Sequence, residues 1–198
     1  RNNKKNKVAG ARSLDGGKTW STNKIIYTSP GGTVCECCKP SVEMKNSLVV
    51  VMFRNLLKGN RDLFIIKSID GGLSFGKAQQ LGEGNWKLNA CPMDGGGLVI
   101  NNDNTINTVW RRERDIYTCP AGSKERVVAV GKQCTIAGDY ANTFIAFVNE
   151  GNVYCLKPGG ERVDLGPGAS PELIMTGKAT ALCSWQYDGR INFTAVVK

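Results

Sequence analysis

The chain has 198 residues, enough for one sizeable core, and no run of 18 apolar residues that would cross a membrane as a helix. Its 26 Lys and Arg against 17 Asp and Glu give a formal net charge of +9, but the basic residues are scattered after the opening 1–7 run. No nucleic-acid-binding motif accompanies them, so the charge reads as a basic surface. The absence of histidine excludes His-based triads and His metal ligands, and eight cysteines favour an oxidising, exported location.

In chain order, the first informative element is Ser13-Leu-Asp15-Gly-Gly17-Lys-Thr-Trp20, which recurs as Ser68-Ile-Asp70-Gly-Gly72-Leu-Ser-Phe75. Each copy predicts a hairpin turn. Asp-Gly supplies the positive-φ corner, the Asp carboxylate accepts backbone N–H bonds, the Ser hydroxyl closes the turn, and the aromatic ring packs back into a sheet. Ser13, Asp15, Gly17, Trp20, Ser68, Asp70, Gly72 and Phe75 are thus expected to be structural.

Strand-like runs punctuated by Gly, Asn, Asp and Pro fill the rest: 47–54, 62–68, 98–101, 105–111, 115–119, 143–148, 152–156, 179–186 and 190–197. Their second strands align on an aromatic residue, Phe53, Trp110, Phe147 and Trp185, spaced by 57, 37 and 38 residues. Such periods predict an all-β chain of four-stranded propeller blades forming a single domain. Blades are expected over 35–83, 84–133 and 134–170, with 1–34 the outer part of an earlier blade and 171–198 part of a later one. The chain enters its first repeat midway, so it reads as a piece of a longer protein whose export signal, if any, lies upstream.

In a propeller, the turns from second to third strand and the interblade connections share one face, and the Asp-Gly turns lie on the other. That geometry gathers Arg54, Arg61, Asp62, Arg111, Arg112, Glu113, Tyr140 and Tyr187 on the first face. Arg54 and Arg111 hold the same register in adjacent blades. Guanidinium groups so placed suit bidentate capture of a carboxylate or sulfate; the alternative is that they pair with Asp62, Glu113 and Asp115 as loop staples.

Cys38, Cys91 and Cys134 fall at equivalent blade starts, with Cys35 and Cys37 beside the first. Three readings stand: disulfides, for instance from the 35–38 loop to Cys91; a soft-metal site for Cu(I) or Zn(II); or ordinary buried thiols. Cys-x-Cys-Cys is not a common zinc spacing. Cys119, Cys155 and Cys183 lie in strands and read as core.

The paired Ser-x-Asp-x-Gly-x-x-aromatic motifs resemble the Asp-box (BNR) repeat of sialidase-type β-propellers. The run Cys35-x-Cys37-Cys38-x-Pro-Ser, Met-Phe-Arg54-Asn55, Gly-Asn-Arg61-Asp62 and Asn89-Ala-Cys-Pro-Met-Asp94-Gly-Gly is similar to bacterial exported sialidase-like proteins over about residues 8–135. The resemblance implies a six-bladed propeller, of which about four blades' worth is present. It also implies a secreted, periplasmic or cell-surface location and an exo-α-sialidase-like glycoside hydrolase acting on an anionic glycan; no cofactor is assigned beyond the Cu or Zn reading of the cysteine cluster. On that reading Arg54, Arg61, Arg111 and Arg112 bind the substrate anion. Glu113 activates Tyr140 or Tyr187 as nucleophile, and Asp62 serves acid/base work. The family's Arg-Ile-Pro motif is absent from these 198 residues. The alternatives are a non-catalytic binding propeller and a Cys-rich metal-binding propeller using Cu or Zn.

Overall fold

The computed structural model describes residues 5–139 and 142–198, and among them every regular element is a β-strand. They pack as two compact units, Arg1–Gln80 with Asn85–Met93, and Leu81–Gly84 with Asp94–Lys198.

In the first unit, β1 (Lys7–Gly10) and β2 (Lys24–Thr28) form a two-stranded antiparallel sheet joined through the first Asp-Gly turn. The second sheet centres on β5 (Leu48–Leu57). Its start pairs with β4 (Ser41–Lys45), its end with β3 (Thr33–Val34), and its whole length with β6 (Asn60–Ser68), which also pairs with β7 (Gln79–Gln80). The sequence of β5, Leu-Val-Val-Val-Met-Phe-Arg-Asn-Leu-Leu, has no polar alternation because the strand is buried on both faces. Val49, Val51, Phe53 and Ile66 pack with Val8 and Val34 into this unit's core.

The second unit is built from antiparallel meanders. The first is β8 (Gly96–Ile100), β9 (Ile106–Arg112), β10 (Asp115–Pro120) and β11 (Arg126–Val130). The second is β12 (Lys132–Ala137), β13 (Phe144–Asn149), β14 (Asn152–Leu156) and β15 (Arg162–Pro167). The last is β16 (Ala169–Gly177), β17 (Thr180–Tyr187) and β18 (Arg190–Val197). Val109, Ile116, Ile136 and Phe147 fill the space between the first two meanders; Phe144, Val153, Cys183 and Trp185 fill that between the last two.

The aromatic repeat has a physical role. Phe53 stacks on Phe64, Trp110 on Tyr117 and Phe147 on Tyr154, each across a strand pair, with ring centroids 6.2, 6.0 and 5.7 Å apart. Such cross-strand pairs fix register. The fourth member differs: Trp185 faces Asn192 and donates its indole N–H to the Pro167 carbonyl at 3.1 Å.

Candidate functional site

The two Asp-Gly turns are built alike. In the first, the Ser13 hydroxyl donates to Asp15 Oδ1 (2.8 Å) and accepts the Gly17 N–H (2.8 Å), while Asp15 accepts the Thr19 amide on Oδ1 (2.9 Å) and the Thr19 hydroxyl on Oδ2 (2.6 Å). In the second, Ser68 donates to Asp70 (2.6 Å) and accepts the Gly72 N–H (2.8 Å), and Asp70 accepts the Ser74 amide (2.9 Å) and hydroxyl. These bonds stabilise the carboxylate form. The Thr19 hydroxyl leads in pulling Asp15 down to about 2, and the Ser68 hydroxyl leads in holding Asp70 lower still. Thr19 and Ser74 complete the turns beyond the Ser-x-Asp-x-Gly-x-x-aromatic pattern, and a hydroxyl at the same offset in both copies is the sequence signal for them. The two rings part company. Phe75 packs on the core as expected, whereas Trp20 is 64% exposed and folds its N–H back to the Gly17 carbonyl, because the two-stranded sheet beneath it offers little surface to cover.

In the first unit, Arg54 and Asp62 are enclosed and do not stand open on the surface. Arg54 is 1% exposed; its Nη1 donates to the Arg61 carbonyl at 2.7 Å and its guanidinium lies 5.2 Å from the Trp86 ring centroid. Asp62, 8% exposed, accepts the Trp86 amide at 2.8 Å. The Arg61 amide donates to the Trp86 carbonyl and the Leu88 amide to the Gly59 carbonyl, so residues 86–88 are laced to the β5–β6 turn. All this sits at the start of β6; Ser68 and its turn sit at the other end.

In the second unit, the β9–β10 turn carries Arg111, Arg112 and Glu113. Arg111 donates from Nε to the Glu113 carbonyl (2.7 Å) and from Nη1 to Asp94 (3.2 Å), and Asp94 also accepts the Gln133 amide (3.1 Å). Its side chain keeps 21% exposure while that of Asp94 has 3%. Arg112 is committed elsewhere, to both carboxylate oxygens of Glu125 and to the face of Tyr117 at 4.0 Å. The Glu125 carboxylate leads in raising its basicity further. Arg111 and Arg112 are thus stapled, the first to Asp94 and the second to Glu125. Glu113 is exposed in the turn with φ 56°, and Tyr187, at the end of β17, is half exposed. Tyr140 lies outside the described residues. A groove of about 640 Å³, lined by Asn107, Thr118, Arg126, Thr143 and Lys157 among others, opens at the opposite end of β9 and β10 from that turn.

Four of the cysteines come together in the first unit. Cys37 and Cys91 are joined as a disulfide with Cα atoms 6.7 Å apart. Cys35 Sγ lies 3.5 Å from Cys37 Sγ and 3.3 Å from Cys38 Sγ, and it accepts a bond from Arg61 Nη1 at 3.2 Å. The contact with Cys38 leads in holding the Cys35 thiol below the usual thiol range, helped by the Cys37 amide and Arg61 against the effect of burial. The expected fifth member, Cys134, is not in this group. It is buried in β12 with Val99, Val109 and Ile136. Cys119, Cys155 and Cys183 are core thiols as read from their strands; burial pushes Cys155 up to about 12 and Cys183 to about 11.

No protein-family model matches the sequence, and no curated relative does. Among solved structures the chain is similar to the Hadza microbial sialidase Hz136 (TM-score 0.63, 14% identity, 96% of this chain and 50% of that one). It is similar to the leech intramolecular trans-sialidase complexed with 2,7-anhydro-Neu5Ac (0.62, 10% identity, 96% and 36%). The Penicillium chrysogenum α-L-arabinanase complexed with arabinobiose is a third likeness (0.58, 9% identity, 96% and 67%). The chain spans half or less of the length of these two sialidases. At such identities the likeness establishes the fold: this is an all-β chain of β-propeller architecture, similar to propeller glycosidases.

Proposed function

We propose that the chain is part of a sialidase-like glycoside hydrolase that acts on an anionic sugar. The observation that carries this reading is the likeness to two sialidases along nearly the whole chain, joined to two Asp-Gly turns with the same bonding. Arg111 is the anion-binding arginine on this reading, because Asp94 and the Glu113 carbonyl hold its guanidinium in one orientation while part of it meets solvent. Glu113 is the base that activates a tyrosine, Tyr187 or Tyr140, for attack at the sugar carbon. Arg54, Asp62 and Arg112 support the framework, because their polar groups bond within the core of their own unit. An exported location goes with this function, and the Cys37–Cys91 disulfide is the form that an oxidising compartment favours.

A second reading, a propeller that binds glycan without turnover, is favoured by the engagement of Asp62 with the Trp86 amide. One experiment separates the two: the full-length protein is assayed on fluorogenic sialosides and arabinosides, with sialoside binding followed by calorimetry. Sialoside turnover that Arg111→Ala abolishes supports the first. Binding without turnover establishes the second, and turnover of arabinosides alone overturns the anionic-sugar assignment.

A further inference from the structure

A disulfide needs two sulfurs, and the first unit brings four together. The sulfur atoms of Cys35, Cys37, Cys38 and Cys91 all lie within 4.8 Å of one another. Three come from the turn that follows β3, where the Cys35 amide donates to the Arg54 carbonyl at 2.9 Å and so continues the β3–β5 ladder. The fourth arrives on the segment laced to the β5–β6 turn. Arg61 ties the two together, donating from Nε to the Leu88 carbonyl (3.2 Å) and from Nη1 to Cys35 Sγ (3.2 Å). Four thiolates around Zn(II), with bonds near 2.3 Å at tetrahedral angles, require sulfurs roughly 3.8 Å apart. The Cys35–Cys38 and Cys35–Cys37 separations, 3.3 and 3.5 Å, fall a few tenths of an ångström short of that value, and no pair in the group exceeds 4.8 Å.

We propose that Cys35, Cys37, Cys38 and Cys91 form a closed tetrathiolate site for Zn(II), and that the Cys37–Cys91 disulfide is its metal-free oxidised form. Four sulfurs fill a tetrahedral shell and leave no position for water or substrate, so the ion is structural. Two buried ligands, Cys35 and Cys38, shield its inner side, and Cys37 and Cys91 face outward. The charge balance suits the surroundings: four thiolates and Zn(II) carry −2 formally, and the Arg61 guanidinium offsets one unit through its bond to Cys35. A Cu(I) ion would leave −3 and prefers fewer ligands. Conversion between the forms balances. A dithiol gives two electrons and two protons to the Cys37–Cys91 bond and itself closes to a cyclic disulfide; Zn(II) then displaces the four thiol protons. In reverse, a disulfide oxidant takes two electrons from the Cys37 and Cys91 thiolates, which join, and leaves as two thiols; Cys35 and Cys38 take up a proton each, and the ion departs to water.

The test is to reduce the whole chain with a dithiol, add zinc, remove excess, and measure metal content, thiol protection from alkylation and the ligand-field spectrum of the Co(II)-substituted protein. One zinc per chain, four protected thiols and a tetrahedral all-sulfur cobalt spectrum are expected. Cys38→Ser and Cys91→Ser lose the ion, Cys134→Ala keeps it, and Arg61→Gln weakens it by roughly 10–100-fold. A reduced, folded protein that retains no zinc, retains copper only, or retains zinc equally in the Cys38→Ser variant overturns the proposal. Should a serine variant unfold, the alkylation count on the unmutated chain decides: thiols equally reactive with and without zinc sink it.

Discussion

Arg112 meets both carboxylate oxygens of Glu125 while its flat face covers the Tyr117 ring, 4.0 Å from the centroid. With side chains 14% and 11% exposed, the pair is mostly removed from water. Removing one partner strands a charge in a poorly solvated place, so Arg112→Ala is expected to cost about 1–3 kcal/mol of stability. Glu125→Ala should cost a similar amount and the double variant less than their sum. Denaturant unfolding of the four proteins in a double-mutant cycle checks this.

Arg54 and Arg111 share a register in the sequence but differ in burial, and their substitutions should differ in kind. Arg54→Ala leaves the Arg61 carbonyl without its donor and opens a cavity beside Trp86, for an expected loss of about 2–4 kcal/mol. Arg111→Ala should change thermal unfolding much less and glycan affinity more. Paired melting curves and binding isotherms distinguish the two behaviours.

The boxed aspartates predict an acid limb in the stability curve. Asp15 and Asp70 titrate in the folded chain below their ordinary value of 3.8. Depressed folded values mean the unfolded chain takes up protons first as pH falls. Their contribution is therefore complete above about pH 4 and is lost as the pH drops toward the folded values. In the Asp15→Asn and Asp70→Asn variants, unfolding midpoints measured from pH 5 to pH 2 should fall less steeply than in the parent. A parallel slope would contradict the turn electrostatics.

Gly131 and Gly168 stand where one sheet hands over to the next. A Cβ at Gly131 would lie 2.5 Å from the Val148 carbonyl oxygen, and one at Gly168 2.3 Å from the Trp185 ring and 2.7 Å from the Gln186 carbonyl oxygen. Backbone atoms cannot swing aside as a side-chain end can. Gly131→Ala and Gly168→Ala are each expected to destabilise by about 1–3 kcal/mol, read from chemical denaturation.

What the sequence revealed was local or periodic. The Ser–Asp–Gly bonding spans five residues, and the Phe53, Trp110 and Phe147 strands repeat their pattern, so turn chemistry and strand alternation suffice to find them. Short strands such as β3 and β7 escaped because two residues carry no period. The partners of the arginines escaped too. Glu125 lies 13 residues from Arg112 on the approach to another strand, and Asp94 lies 17 from Arg111, separations that only the fold closes. Register aligns Arg54 with Arg111 but says nothing of depth, and Arg54 is buried. The sulfur group was half visible: the Cys35–Cys38 loop and Cys91 could be associated, but the exclusion of Cys134 depends on its packing in β12.

The bond from Cys37 to Cys91 spans 54 positions and encircles β4, β5, β6 and β7 in one covalent ring. Closing a ring of that length removes about 4 kcal/mol of freedom from the disordered chain. A protease nick at the exposed Lys58 hairpin tip would consequently leave a single species on a gel run without thiol and two fragments on a gel run with it.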